Sequence, residues 1–407
     1  MTTEILIFRT DSIGELIVTC PVIITVKKYF NNSKITIITS NKNYEYAKSL
    51  DIFDKIHQFP NNNIINKIKF MYKLSKKKFD YIFIFDGKDR SIFSASLIKS
   101  NYKVAVRDEK KISIINKLFN IKFVKNTPKI WLNKFPWKKQ KDHKYSRGKL
   151  VVLGSQKHMT GATILCAESA LRVGTGSVKI LCSKQTLPIY STKFPSALKE
   201  EINNLKSLSR FINKEKSSTY LIGPGAGSNN LTKQKTRLIL GKIKNVVVDA
   251  DALTCFKKKP KELYRLLDKN KVITPHPKEF HSIFPSINKN LSNKEKMIKA
   301  IRLTKTNIVL KGPVTLIGSF DGNIVYNEHT SSELAVIGSG DVLSGLIASL
   351  IGKNKLNPFL AACASVWIHG DLAKQFGPGL IAEDIVKAIP HTLTKLKKWK
   401  IFSKMNQ

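Results

Sequence analysis

Gly338-Ser339-Gly340-Asp341 is the stretch of this sequence best equipped for chemistry. Its glycines let backbone N–H groups converge on one point. The apolar pattern that follows marks a helix, whose first N–H groups lack intrahelical acceptors and carry the positive end of its dipole. Such a turn is a pocket for a phosphate or a developing oxyanion. Asp341 stands beside it, placed to take a proton from a hydroxyl that attacks phosphorus. The local chemistry reads as phosphoryl transfer to an alcohol. The plainer reading is a glycine turn with an aspartate cap, and the surrounding elements have to decide between the two.

Those elements are short apolar runs separated by helical patterns. Residues 149–153, 177–182, 219–222, 245–248, 271–274 and 307–311 read as strands. Strands alternating with helices imply βαβ units and a parallel sheet, hence an α/β fold. Residues 314–319 and 323–326 read as a hairpin across Phe320-Asp321-Gly322. Helices are expected from Asp341 and from about Pro358. The strands end in Gly223-Pro224-Gly225-Ala226-Gly227, Asp249-Ala250-Asp251, Pro275-His276-Pro277 and Lys311-Gly312-Pro313. Ligands bind at that edge of an open α/β sheet. Gly225 and Gly227 suit a close backbone approach to a pyrophosphate, or are turn residues. Asp249 or Asp251 is placed to hold Mg²⁺ through water, and Asp251 equally to cap the next helix. His276 reads as a ligand or a cap, and Lys311 as a phosphate partner or a rim residue.

An earlier α/β series occupies the first part of the chain, with strands at 4–8, 35–39 and 81–85 and a helix over 14–30 that contains Pro21. Between 126 and 142 the pattern lapses into Lys, Pro and Trp, which predicts a linker. Domains are expected at 1–125 and 143–400. The net charge is +41, from 70 Lys plus Arg against 29 Asp plus Glu, spread along all 407 residues without a recognition motif. Nucleic acid is therefore not expected as a partner, although a basic surface recruits phosphorylated substrates. Five separated cysteines form no metal or disulfide pattern. The sequence contains no membrane-length apolar run and no secretory leader, so a cytoplasmic location is expected.

From His143 to the last helix the chain resembles the ADP- or ATP-dependent NAD(P)H-hydrate dehydratases, which have a ribokinase-like fold. The resemblance rests on ordered motifs: His143-Lys144-Tyr145-Ser146-Arg147-Gly148-Lys149, Met159-Thr160-Gly161-Ala162, Gly223 to Gly227, Val248 to Leu253, and Thr274 to Phe280. Leu310 to Thr315, Gly338 to Asp341, His369-Gly370 and Gly379 to Asp384 complete the series. The resemblance implies ADP-dependent conversion of the S epimer of NADHX or NADPHX to NADH or NADPH, with AMP and phosphate released and Mg²⁺ as cofactor. It implies that Ala162, Gly225, Gly227 and His276 contact the hydrated dinucleotide. Lys311, Gly312, Pro313, Val314, Thr315, Gly338 and Gly340 would bind the adenine nucleotide, and Asp341 would be the catalytic carboxylate. A separate epimerase and self-association are further expectations. The sequence departs from the family pattern at Ser339, at Lys278, in the reduced turn Gly154-Ser155 and over Asn327 to Glu333.

Residues 1–125 are similar instead to the N-terminal half of glycosyltransferase family 9 heptosyltransferases. The shared run extends from Ile5 through Arg9, Asp11 and Gly14 to Glu15 and Ile17, followed by Pro21-Val22. Glu15 stands where that family has its proposed aspartate base, and the donor-binding half is missing. The alternatives to a dehydratase are a ribokinase-like small-molecule kinase and a glycosyltransferase-related protein with a silent C-terminal domain.

Overall fold

The computed structural model describes residues 2–60, 63–105, 123–144, 146–351 and 356–405. It divides into two compact units, Met1–Asn120 and Ile121–Gln407. Tyr145 of the first dehydratase motif and residues 106–122 of the expected N-terminal domain lie outside the described residues.

The first unit is a five-stranded parallel sheet of β1 (Thr3–Arg9), β2 (Ser33–Thr39), β3 (Lys55–Gln58), β4 (Lys78–Ile84) and β5 (Lys99–Ala105), in the order β3-β2-β1-β4-β5. Side chains alternate across a strand, and both faces of β1 are covered. Leu6 and Phe8 pack with Met71 and Leu74 on one side, Ile5 and Ile7 with Leu16 and Ile23 on the other. Burial on both faces is what makes central parallel strands read as continuous apolar runs. The strands β3 and β5 lie at the edges and carry no such run, which is why the sequence does not announce them.

The second unit is a ten-stranded sheet. Its strands are β6 (Phe123–Lys125), β7 (Lys149–Leu153), β8 (Ser177–Cys182), β9 (Leu198–Glu201), β10 (Thr219–Ile222), β11 (Val246–Val248), β12 (Lys271–Ile273), β13 (Asn307–Leu310), β14 (Thr315–Gly318) and β15 (Ile324–Asn327). Their order is β6-β15-β14-β13-β12-β11-β10-β7-β8-β9. From β9 to β13 the sheet is parallel, and β14 and β15 form the expected antiparallel hairpin. The chain runs from β7 outward through β8 to β9, then returns to β10 on the other side of β7. The loops after β7 and β10 therefore flank a topological switch point, where ligands enter such sheets.

Helices Ser339–Leu350 and Pro358–Phe376 are apolar almost all round and correspondingly buried. They pack with Thr160–Val173 against Val152, Leu221, Val247, Val272 and Val309 on one sheet face. Burial of each large aliphatic side chain is worth about 1.5–3 kcal/mol, so the helix that begins at the Gly338–Asp341 turn is firmly anchored.

Within the segment expected as a linker, 126–142, residues 126–137 carry buried side chains of the second unit, while 138–141 are exposed. Trp131 is fully buried beside Phe135 and Trp367. Asn126 donates to the Cys363 carbonyl at 2.7 Å and to Asn327 Oδ1 at 3.0 Å, and accepts from Trp131 Nε1 at 3.3 Å. Its two 3-10 turns, Pro128–Ile130 and Leu132–Lys134, have neither a helical nor a strand period, which explains the lapse in pattern. The division between units falls at 120/121, before the expected 125. All five cysteines are free; Cys166, Cys182 and Cys363 are buried, and Cys20 and Cys255 half-buried. No described helix is long and apolar enough to cross a membrane.

Candidate active site

The strand-end loops of the second unit are tied together by side chains. Ser155, just after β7, donates its hydroxyl to the Pro224 carbonyl at 2.9 Å, and the Gln156 N–H donates to Gly225 O at 2.9 Å. Thr163 holds the Ser155 N–H at 3.0 Å, which places Ala162, half-buried in the first turn of Thr160–Val173, beside the same loop. Gly225 and Gly227 have φ of +64° and +79°. A Cβ on Gly225 would lie 2.8 Å from Met159 and Ser155, and one on Gly227 2.1 Å from Gln156. Both positions favour glycine for conformation, and Gly225 for space as well; at Gly227 the close atom is the movable amide end of Gln156.

Asp249, at the end of β11, is buried with both oxygens occupied. Oδ1 accepts from Lys311 Nζ at 2.9 Å, and Oδ2 from Ser344 Oγ at 2.5 Å. Oδ1 also accepts from the N–H of Ala250, which sits at φ +48°, ψ −122°, a strained conformation for a residue with a Cβ. Asp251 neither caps a helix nor stands free: its Oδ2 accepts from the Gly227 N–H at 2.8 Å and so pins the glycine loop. The capping reading of Asp251 is therefore replaced by this long-range contact. Among the described residues, no group of three His, Cys, Asp or Glu could hold a metal ion. Asp249 is committed to Lys311 and Ser344.

Lys311 is the cation of the site. Burial works against its charge, yet Asp249, Glu279 and Asp341 together hold its pKa above the ordinary range. Its Nζ lies 3.9 Å from Glu279 Oε2, and a Cβ on Gly340 would be 3.5 Å from it. Gly312 is half-buried, Pro313 and Val314 are exposed at the rim, and the Thr315 hydroxyl donates to Gly312 O at 3.2 Å. Gly338, at φ +88°, is the N-cap of helix Ser339–Leu350. Gly340 and Asp341 follow at the second and third helical positions, where N–H groups have no intrahelical acceptor. Burial, reinforced by the negative charge of Asp249 and Asp251 and opposed by Lys311, pushes the Asp341 carboxyl up to about 7.

His276 N-caps helix Pro277–Ile283. Its Nδ1 accepts from the N–H groups of Lys278 at 3.1 Å and Glu279 at 3.4 Å, and Glu279 Oε2 accepts from the His276 N–H at 2.8 Å. With Nδ1 accepting, the proton of the neutral ring is assigned to Nε2, 3.5 Å from Glu279 Oε1. Burial and the Lys311 charge lower the pKa of the ring.

The structure thus brings Lys311, Gly340 and Asp341 around one point and sets Gly225, Gly227 and Ala162 around the switch-point loop. His276 reaches the first cluster through Glu279. The sequence reading passed over Glu279, Ser344 and the contacts of His369. Glu279 has the spacing of a capping box after His276. Ser344 follows Asp341 by three residues, hence on the same helix face. In the first unit, Glu15 is bound by Arg9, with Nη2 to Oε2 at 2.6 Å.

Residues 150–391 match the family described as NAD(P)H-hydrate dehydratase. An ADP-dependent (S)-NAD(P)H-hydrate dehydratase of Neisseria meningitidis is 31% identical over 267 residues, covering 62% of this chain and 88% of its own length. A bifunctional NAD(P)H-hydrate repair enzyme of Escherichia coli is 31% identical over 61% of this chain. The chain spans about half of that enzyme, 48%. A Bacillus subtilis ADP/ATP-dependent NAD(P)H-hydrate dehydratase, co-crystallised with ATP and Mg²⁺, superposes with a TM-score of 0.57 at 23% identity, covering 67% of this chain and 99% of that one. A ribokinase-like protein of Enterococcus faecalis gives 0.60 at 18% identity, covering 71% and 99%. These two structures share the ribokinase-like fold of the second unit.

Proposed function

The chain belongs to the NAD(P)H-hydrate dehydratase family, and from that membership together with the site geometry we propose that it repairs hydrated nicotinamide cofactors. The reaction is (S)-NADHX or (S)-NADPHX plus ADP giving NADH or NADPH, AMP and phosphate. The observation that carries this reading is the meeting of Asp341, whose carboxyl is raised to about 7, with Lys311, which stands beside Gly340 in the first turn of the same helix.

The hydrate carries a ring hydroxyl, a poor leaving group. Asp341 takes the hydroxyl proton as the oxygen attacks the terminal phosphorus of ADP and the bond to the AMP oxygen breaks. The pKa near neutrality leaves much of Asp341 ionised at pH 7 while keeping it basic enough to accept that proton. The Gly340 and Asp341 amides and the Lys311 ammonium receive the transferring phosphoryl. The phosphorylated ring then expels phosphate, assisted by the ring-nitrogen lone pair, and loses a ring proton to give the dihydronicotinamide. Ala162, Gly225, Gly227 and His276 would face the dinucleotide, and Gly312 to Thr315 with Gly338 the nucleotide. Mg²⁺ enters this account only as part of the substrate, on the ADP phosphates. The other epimer would need a separate epimerase, and the cytoplasm is the setting this chemistry implies. We assign no transferase step to the first unit, because its candidate base, Glu15, is bound to Arg9.

The test is incubation of the purified chain with (S)-NADHX, Mg²⁺ and either ADP or ATP. Nucleotide-dependent return of the NADH absorbance is expected; no return from a folded protein would end this reading.

A further inference from the structure

The turn that would receive the terminal phosphate is held from behind by a residue to which the mechanism above gives no part. His369, on helix Pro358–Phe376, is buried. Its Nε2 lies 3.0 Å from the carbonyl oxygen of Ser339 and 3.2 Å from Ser339 Oγ. A carbonyl only accepts, so Nε2 carries the proton and donates to it. The Ser339 carbonyl and the Gly340 N–H belong to one planar, trans peptide unit, so they point in opposite directions. With the carbonyl held toward His369, the Gly340 N–H faces away from that ring, and Lys311 Nζ stands beside the same residue, 3.5 Å from where a Gly340 Cβ would lie. The same bond also polarises that N–H.

We propose that His369 is a positioning residue of the phosphoryl-transfer site, orienting the Gly340 amide toward the terminal phosphate of ADP through its hydrogen bond to the Ser339 carbonyl. The proposal rests on the nucleotide reading given above. Burial keeps the ring neutral, with its pKa lowered to about 4, so its single N–H stays a donor throughout the working pH range.

The next two residues of the helix hold the loop around His329. A Cβ on Gly370 would lie 1.7 Å from the His329 carbonyl, so only glycine allows that loop so close. Asp371 accepts from His329 Nε2 at 2.9 Å, and the His329 ring stacks on Trp367 at 4.5 Å. Lys395 and Thr392 reach Asp371 at 2.9 and 3.0 Å. Helix Pro358–Phe376 therefore fixes both the phosphate turn and the loop from Asn327 to Glu333, the segment whose sequence departs from the family pattern.

The test compares His369→Leu, which removes the donor, with His369→Gln, whose amide nitrogen reaches about as far as Nε2 and donates. The affinities of ADP and AMP with Mg²⁺ are measured for the full chain by calorimetry, with kcat for NADHX dehydration and a melting curve for each variant. Removal of one direct donor to an oxyanion costs about 10²–10³ in rate, and a misaimed donor less. We therefore expect His369→Leu to lower kcat about tenfold or more and to erase most of the preference for ADP over AMP, with AMP affinity nearly unchanged. His369→Gln should recover both to within about threefold. A folded Leu variant with wild-type preference and kcat overturns the proposal, as does a folded Gln variant no better than Leu. A wild-type chain that binds ADP without dehydrating NADHX removes the functional reading alone and leaves the ADP-over-AMP comparison to judge His369. A wild-type chain that does not bind ADP defeats both.

Discussion

Asp341→Asn should abolish turnover and, at alkaline pH, stabilise the fold. Asp341 is raised from the ordinary 3.8 to about 7 by burial and by its neighbours Asp249 and Asp251, against the opposing Lys311. The folded state thus holds a proton that the unfolded chain releases near pH 4. Between those values the unfolded state binds fewer protons, so stability falls as pH rises from about 4 to about 7, and stays reduced above. Three decades of proton affinity at about 1.36 kcal/mol each set an upper bound of roughly 4 kcal/mol. Asp341 is only part-buried, and water entering the cleft relieves some of this, so about 1–3 kcal/mol is the working figure. Asparagine keeps the shape and cannot ionise. At about 2–4 °C per kcal/mol for a unit of this size, Asp341→Asn should melt roughly 2–12 °C above wild type at pH 8. The difference should shrink toward zero at pH 4. Melting curves at both pH values, with NADHX turnover beside them, are the assay. A variant no more stable than wild type at pH 8, or equally stabilised at both pH values, would refute the buried-carboxylate reasoning.

The same carboxyl should shape the pH–rate profile. Because Asp341 must be ionised to accept a proton, kcat/KM for NADHX should fall as pH drops through about 7; a wild-type profile flat between pH 6 and 8 would contradict that role. Lys311→Met should weaken ADP binding, and it also leaves the buried Asp249 without its ion-pair partner. Loss of one member of such a pair costs about 3–5 kcal/mol. Asp249→Asn combined with Lys311→Met should recover part of that loss in melting curves without restoring ADP affinity.

The architecture was legible because central parallel strands are apolar on both sides and end in glycine, aspartate, histidine and lysine along one edge. Eleven of the described strands, all but β3, β5, β6 and β9, carry runs that the sequence offers as strands. β3, β5 and β9 lie at or next to sheet edges with half-exposed side chains and give no period. Trp131 was obscured for another reason: short 3-10 turns bury aromatic side chains without repeating them. The catalytic turn could be read locally, since Gly338 to Asp341 and its helix are contiguous. The partners of Asp249 could not. Lys311 and Ser344 lie 62 and 95 residues from it, and only the sheet order brings them to its two oxygens. Asp251 followed the spacing of a cap and is committed instead to an amide 24 residues earlier. His276 shows the reverse: both a ligand and a capping role were open, and its Nδ1 is visibly spent on capping while Nε2 faces Glu279.

The most direct measurement is product stoichiometry. Purified chain, (S)-NADHX and ADP with Mg²⁺ would be followed for NADH, AMP and free phosphate in one time course, with Asp341→Asn alongside. The account predicts that NADH, AMP and phosphate appear in equal amounts and that the variant makes none of them. AMP formed without free phosphate, its phosphoryl group remaining on the dinucleotide, would contradict it and mark the site as a kinase. NADH formed without consumption of nucleotide would contradict the roles given to Lys311, Gly340 and Asp341.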